Sequence, residues 1–204
     1  MYTCVDMKSD TDTRSYAMGA RQVAKDATRE VILRAAIDAF MAERSFDITL
    51  PSVATRAGVT VKTVLRHFGN REALIDAAWS QAYRDIVDER TPPAGDSDEA
   101  LRVLIAHYDS RGEVVLAMLA NEHDPRAARA NSTGRLAHRA WVQDVFEARL
   151  PAGASARSRV VDVLVVATDV YAWKLLRLDR GLSADDVHDR FALMTDALLA
   201  EASA

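Results

Sequence analysis

The chain has 204 residues, 49% of them hydrophobic and 27% charged, with a formal net charge of -4, which supplies a packed core and excludes a disordered or uniformly basic polypeptide. A single cysteine, Cys4, excludes an intrachain disulfide framework and a cysteine-based metal site. The N-terminus lacks the apolar core of a secretory signal, and no uncharged run approaches the ~18 residues that span a bilayer, so the expectation is a soluble cytoplasmic protein with no membrane partner.

Residues 1–25 read as a mobile tail. From Thr28 to Glu43, the apolar residues Leu33, Ala36, Ile37, Phe40 and Met41 recur at three-and-four spacing, which predicts a first amphipathic helix. Thr49 then caps a short helix with Pro51 in its first turn, and Val53, Ala54 and Ala57 face inward before Gly58 stops it. Ala54 is small where two helices cross, and the turn at Gly58 calls for a positive φ. Thr60 caps a second short helix, Val61 to about Phe68, with Val64 and Phe68 on one inward face. Two helices joined by such a turn make a helix-turn-helix. Its outward positions are Val61, Lys62, Leu65 and Arg66, with Thr60 and Thr63 near the start. No acid occurs from Ile48 through Arg71, as expected of a surface that neutralises DNA phosphates.

A fourth helix spans about Arg71 to Glu89. In "TPPAGDSDEA" the prolines stop it, and Asp96 with Glu99 forms a capping box that starts the next. The segment Arg157 to Leu178 is expected to be one helix with two apolar faces. One face carries Val161, Leu164, Val165, Thr168, Tyr171 and Leu175, and the other Val163, Val166, Val170 and Trp173. One monomer buries one face, so a second copy is expected on the other. In "RGLSADDV", Gly181 is a stop, Ser183 and Asp186 form a capping box, and Leu182 faces Val187 as a hydrophobic staple. The last helix, Ala184 to about Glu201, carries Val187, Phe191, Met194 and Leu198. Alternating, strand-like segments are missing, so the fold class is all-α, an N-terminal three-helix DNA-binding domain (26–72) followed by a larger helical domain (73–204).

The stretch "REVILRAAIDAFMAERSFDITLPSVATRAGVTVKTVLRHFGNREALIDAAW", Arg29 to Trp79, resembles the DNA-binding domain of the TetR family of transcriptional regulators. The resemblance is carried by "IL.AA...F" (Ile32 to Phe40), "VA..AGVT" (Val53 to Thr60) and "RHF..REAL" (Arg66 to Leu74). It implies a repressor that binds double-stranded DNA at a palindromic operator as a homodimer and is released by a small-molecule inducer. The implied DNA-contacting set is Thr49, Thr60, Val61, Lys62, Thr63, Leu65, Arg66, His67 and Arg71, with Arg21, Lys25 and Arg29 as an arm toward a neighbouring groove. The chain departs from the family at Leu65, where a phosphate-contacting tyrosine is usual, and at Glu43, Arg44 and Ser45, where a glycine is common. Leu65 suits a thymine methyl and Lys62 a phosphate or a guanine edge.

The resemblance also implies a dimer interface made by the last two long helices, through Val163, Val166, Val170, Trp173, Val187, Phe191, Met194 and Leu198. The candidate inducer-contacting residues are Trp79, Tyr83, His107, Tyr108, Met118, Asn121, Trp141, Asp169 and Tyr171, with His123 a further polar possibility. No phosphate loop, dinucleotide-binding glycine pattern, zinc-ligand pair or nucleophile elbow is present, so neither catalysis nor a cofactor or metal is expected. The alternative is a helical ligand carrier or partner-binding protein that keeps a vestigial DNA module.

Overall fold

The computed structural model describes residues 10–44, 47–90 and 95–202. Every regular element among them is helical: α1 (Asp10–Glu43), α2 (Leu50–Arg56), α3 (Val61–Phe68), α4 (Arg71–Glu89), α5 (Ser97–Ala120), α6 (Pro125–Phe146), a 3-10 turn (Glu147–Arg149), α7 (Ala154–Ala167), α8 (Val170–Trp173) continuing as a π-helical stretch (Lys174–Asp179), and α9 (Ala184–Glu201). No described helix is long and apolar enough to cross a membrane.

The described residues gather into two compact units, one built from α1 with Asp47–Gln81, the other from Arg44 together with the chain from Ala82 onward. The division falls inside α4, later than the 72/73 boundary expected, because Leu74, Ile75 and Ala78 are buried in the first unit. That unit's core is closed by Ile32, Leu33, Ala36, Ala39 and Phe40 of α1 with Val53, Ala54 and Val64. Trp79 meets Phe40 edge-on at 6.0 Å between ring centres.

Residues 10–25 are helical, not the tail expected; residues 1–9 lie outside the described residues, as do the two prolines of "TPPAGDSDEA". The early turns of α1 were illegible because Arg21 to Ala27 are all exposed and leave no apolar stripe. Local bonds hold them: Gln22 Nε2 donates to the Asp26 carboxylate at 2.9 Å, and the Thr28 hydroxyl to the Ala24 carbonyl at 2.8 Å. Helix α1 ends at Glu43, and Arg44 after it is a non-glycine residue with φ 50°, a conformation in which a glycine would be relaxed.

In the second unit α5, α6, α7 and α9 pack around Trp173, with Leu104, Tyr108, Val142, Phe146, Leu164 and Phe191 in the same core. The Trp173 ring lies so close to α5 that a Cβ on Gly112 would fall 2.5 Å from it. Its indole N–H donates to Asp109 at 2.8 Å, so the ring is buried without stranding its donor. The expected box forms at Ser183 and Asp186, where the Asp186 amide donates to Ser183 at 3.1 Å and the Ser183 amide to the Asp186 carboxylate; at Asp96 the cap itself forms, the Glu99 amide donating to its carboxylate at 2.9 Å.

The single helix expected over Arg157 to Leu178 is broken. Thr168 ends α7, its hydroxyl donating back to the Leu164 carbonyl at 2.8 Å, and Asp169 caps α8 by accepting the Tyr171 amide at 2.9 Å. Polar side chains that bond their own backbone offered an alternative to helix continuation that apolar periodicity does not register. The π-helical stretch then places Lys174 over Asp179, five residues on, at 2.7 Å.

The break also changes the expected interface. Val170 and Trp173 are 3% and 2% exposed, and Val187 and Phe191 are 0% exposed; these four belong to the core of their own chain and are not free for a second copy. Met194 and Leu198 are half-buried against that core. Val163 and Val166 do face solvent, together with Tyr171, Leu175, Leu178 and Leu193, the last absent from the expected set.

Candidate nucleic-acid interface

The reading unit is built from short local bonds. Thr49 caps α2 by accepting the Ser52 amide at 3.3 Å, and Pro51 sits where a missing amide proton costs nothing. At the other end of α2 the Val59 amide returns to the Ala54 carbonyl at 2.9 Å and the Gly58 amide to Thr55 at 3.2 Å, a Schellman closure. Gly58 takes φ 65°, as that closure requires. Thr60 restarts the chain as α3 by accepting the Thr63 amide at 3.2 Å, and the two hydroxyls lie 3.0 Å apart.

Val64, 0% exposed, fixes the rotation of α3. The consequence is an outward face with Thr60, Lys62, Leu65 and Arg66 exposed and Val61, Thr63 and His67 half-buried at its margins. Leu65 is 38% exposed, an apolar side chain held in solvent beside two cations. His67 Nδ1 is buried without a hydrogen-bond partner among the described residues. Burial first, and then the charges of Arg66, Lys25 and Arg29, push this imidazole below its ordinary range, so it is neutral at neutral pH. Those same charges place two basic residues of α1 beside the end of α3, on a regular helix and not as the loose arm expected. Arg29 also lies over the Phe68 ring at 4.9 Å. Arg71 is half-buried and donates from Nε to the Ile48 carbonyl at 2.8 Å, which fastens the segment leading into α2. Thr49 is likewise exposed while it caps.

The inducer candidates scatter. Trp79 is in the first unit against Phe40, Tyr83 is half-buried on α4, Asn121 and His123 are exposed around the end of α5, and Tyr171 is 51% exposed. Met118 is buried, its carbonyl accepting from Asn131 at 3.0 Å. Asp169 is the α8 cap, its carboxyl pushed up by burial. His107, Tyr108 and Trp141 are buried in the second unit and gather with two residues that sequence reasoning missed, Arg90 and His138. The Tyr108 hydroxyl donates to the Thr168 carbonyl at 3.1 Å and the Trp141 indole to the Arg90 carbonyl at 3.1 Å. Burial pushes the Tyr108 hydroxyl up and the His107 and His138 imidazoles down, each of the latter to about 3. No local motif announces this cluster, since its members come from α5, α6, the end of α4 and the α7–α8 break. Among the described residues no group of three or more His, Cys, Asp or Glu side chains is arranged to hold a metal.

Two short helices locked by a glycine turn, with an acid-free outward face on the second, define a helix-turn-helix protein. Residues 32–78 match the family described as "Bacterial regulatory proteins, tetR family". The HTH-type transcriptional regulator SrpR of Pseudomonas putida is 31% identical over 93 residues, 45% of this chain and 44% of its own length. TtgW, an uncharacterized HTH-type transcriptional regulator from a strain of the same species, is 31% identical over 93 residues, covering 69% of its length. The chain thus spans less than half the length of the first relative and about two thirds of the second. A TetR-family regulator from Streptomyces coelicolor superposes with a TM-score of 0.64 at 18% identity over 87% of this chain and 89% of that one. One described as putative, from Rhodococcus sp., gives 0.56 at 18% identity over 85% and 99%. The chain belongs to the TetR family of bacterial regulators.

Proposed function

We propose that the protein is a sequence-specific DNA-binding transcriptional regulator, a repressor that occupies a palindromic operator as a homodimer and leaves it when a small molecule binds the second unit. One observation carries the reading: Val64 anchors α3 so that Lys62, Leu65 and Arg66 project from a surface with no carboxylate between Ile48 and Arg71. The cations meet phosphate or a guanine edge, and Leu65 meets a thymine methyl. Thr60 and Thr63 lie at the N-terminal end of α3, where hydroxyls and free backbone amides suit a phosphate oxygen.

A second copy supplies the second reading head. Val166 and Leu193 are each 70% exposed and Val163 45%, apolar surface that association between copies would cover. Two heads related by a two-fold axis enter successive major grooves about 34 Å apart. Helix α4 has its first part in the DNA-reading unit and its last part in the other, and an effector acts by favouring one of two arrangements.

Selection of random duplexes by the purified chain tests this. The expected product is a palindrome whose binding weakens steeply as salt rises. Failure to enrich any motif at low salt, with a folded protein, leaves the helical-carrier alternative in its place.

A further inference from the structure

The second unit holds a half-buried cation, Arg90, with no carboxylate bonded to it among the described residues. Arg90 Nη2 donates to His138 Nδ1 at 2.9 Å, and the guanidinium lies over the Trp141 ring at 5.6 Å. Its Nε is out of solvent and has no partner among the described residues, and His107 Nδ1 is in the same condition. The Glu89 carboxylate lies 4.0 Å from His107 Nδ1 and is engaged by Arg111 at 2.6 and 2.9 Å. The ionisable groups acting on Arg90 are the phenols Tyr108 and Tyr83 and not a carboxylate.

Hydrogen-bond roles follow from the guanidinium, which only donates. His138 Nδ1 must therefore be bare, its proton sits on Nε2 and is donated in a hydrogen bond to the Thr168 hydroxyl oxygen at 3.1 Å, and that hydroxyl donates to the Leu164 carbonyl. His138 is thereby committed and neutral. His107 is neutral as well, so among His107, Tyr108, His138, Trp141 and Arg90 only Arg90 is charged. A half-buried cation without a counter-charge and two stranded nitrogens are costly, and one acceptor-rich monoanion would offset that cost.

We infer that the effector of this unit is an organic monocarboxylate, its oxygens received by Arg90 Nε and His107 Nδ1 beside Trp141. The inference rests on the reading of the second unit as effector-binding. A carboxylate matches the flat fork of the guanidinium and balances one positive charge; a dianion would leave surplus negative charge near Glu89. Arg90 directly follows α4, so an ion that fixes Arg90 also fixes the end of that helix.

The test uses the full chain without DNA. Melting temperature and titration calorimetry are recorded with acetate, benzoate and 1-naphthoate, with the matching amides, and with chloride at equal ionic strength. At least one carboxylate is expected to bind saturably and raise the melting temperature while its amide does not. Arg90→Met and Arg90→Gln are expected to weaken that binding at least tenfold. The inference is overturned if no carboxylate binds, if amides or chloride match the carboxylates, or if binding survives in both variants. Operator binding is measured separately on the same preparations: a chain that binds carboxylate but no duplex refutes the regulator reading alone, and the converse refutes this inference alone.

Discussion

The reading unit and the helical body treat polar groups in opposite ways. In the reading unit, threonine hydroxyls cap helices from three residues away, as at Thr49–Ser52 and Thr60–Thr63, and the cations Lys62 and Arg66 stand in solvent. In the body, polar side chains that are buried or half-buried bond across 48 to 60 positions of sequence, as Arg90 to His138 and Tyr108 to Thr168. The first arrangement presents charge to a partner that brings its own counter-charge. The second concentrates polarity where water is excluded, which makes a unit sensitive to whatever supplies or removes a proton or an anion.

The sharpest way to break this contrast is through the body's packing. Phe191→Ala is expected to cost each protomer about 3 to 5 kcal/mol, because Phe191 lies in its own chain's core. Denaturant unfolding at several protein concentrations checks it. A loss confined to dimer dissociation, with protomer stability unchanged, would restore the interface role and refute the packing described.

Acid comes next. His107 and His138 are held at about 3 in the folded chain against 6.5 for a free imidazole. Between those values the unfolded chain binds more protons, so their contribution is complete above pH 6.5 and is lost as pH falls, by about 1.4 kcal/mol per pH unit for each histidine. Melting temperature followed from pH 7.5 to about 4.5 should drop steadily. A flat profile would mean that these imidazoles are not buried neutral.

Smaller effects belong to the reading head. Lys62→Ala and Arg66→Ala are each expected to weaken operator binding by about tenfold or more and to lower the salt slope by about one, with the melting temperature unmoved. Fluorescence anisotropy across a salt series reads both quantities, and an unchanged slope in both variants would remove α3 from the DNA. The smallest pair sharpens the backbone reading. Gly58 (φ 65°) and Arg44 (φ 50°) share the left-handed region, so Gly58→Ala should cost about 1 kcal/mol and Arg44→Gly gain up to about 1 kcal/mol. Urea midpoints of equal sign for the two variants would contradict that.

Much of the reading head was legible because its determinants are neighbours in the chain. Thr49, Pro51, Gly58 and Thr60 punctuate two short helices at fixed offsets, and the helix bounds of α3, α4 and α9 follow from capping and periodicity. The early turns of α1 escaped notice since they bury nothing, and the break at Thr168 and Asp169 escaped because an apolar stripe runs through it. The candidate ligand residues His107, Tyr108 and Trp141 were visible as types, but Arg90 and His138, which give them a common chemistry, were not.

By itself, then, the sequence determined an all-helical chain, the two-helix reading head and the side chains that face outward from it, since capping, glycine turns and apolar spacing act within a few residues. Tertiary structure alone decided which apolar face of the Val161–Leu175 region is core, and that Arg90 meets His138 across 48 residues. Burial depends on what packs opposite, and the charge state of a buried group depends on every neighbour that folding brings to it.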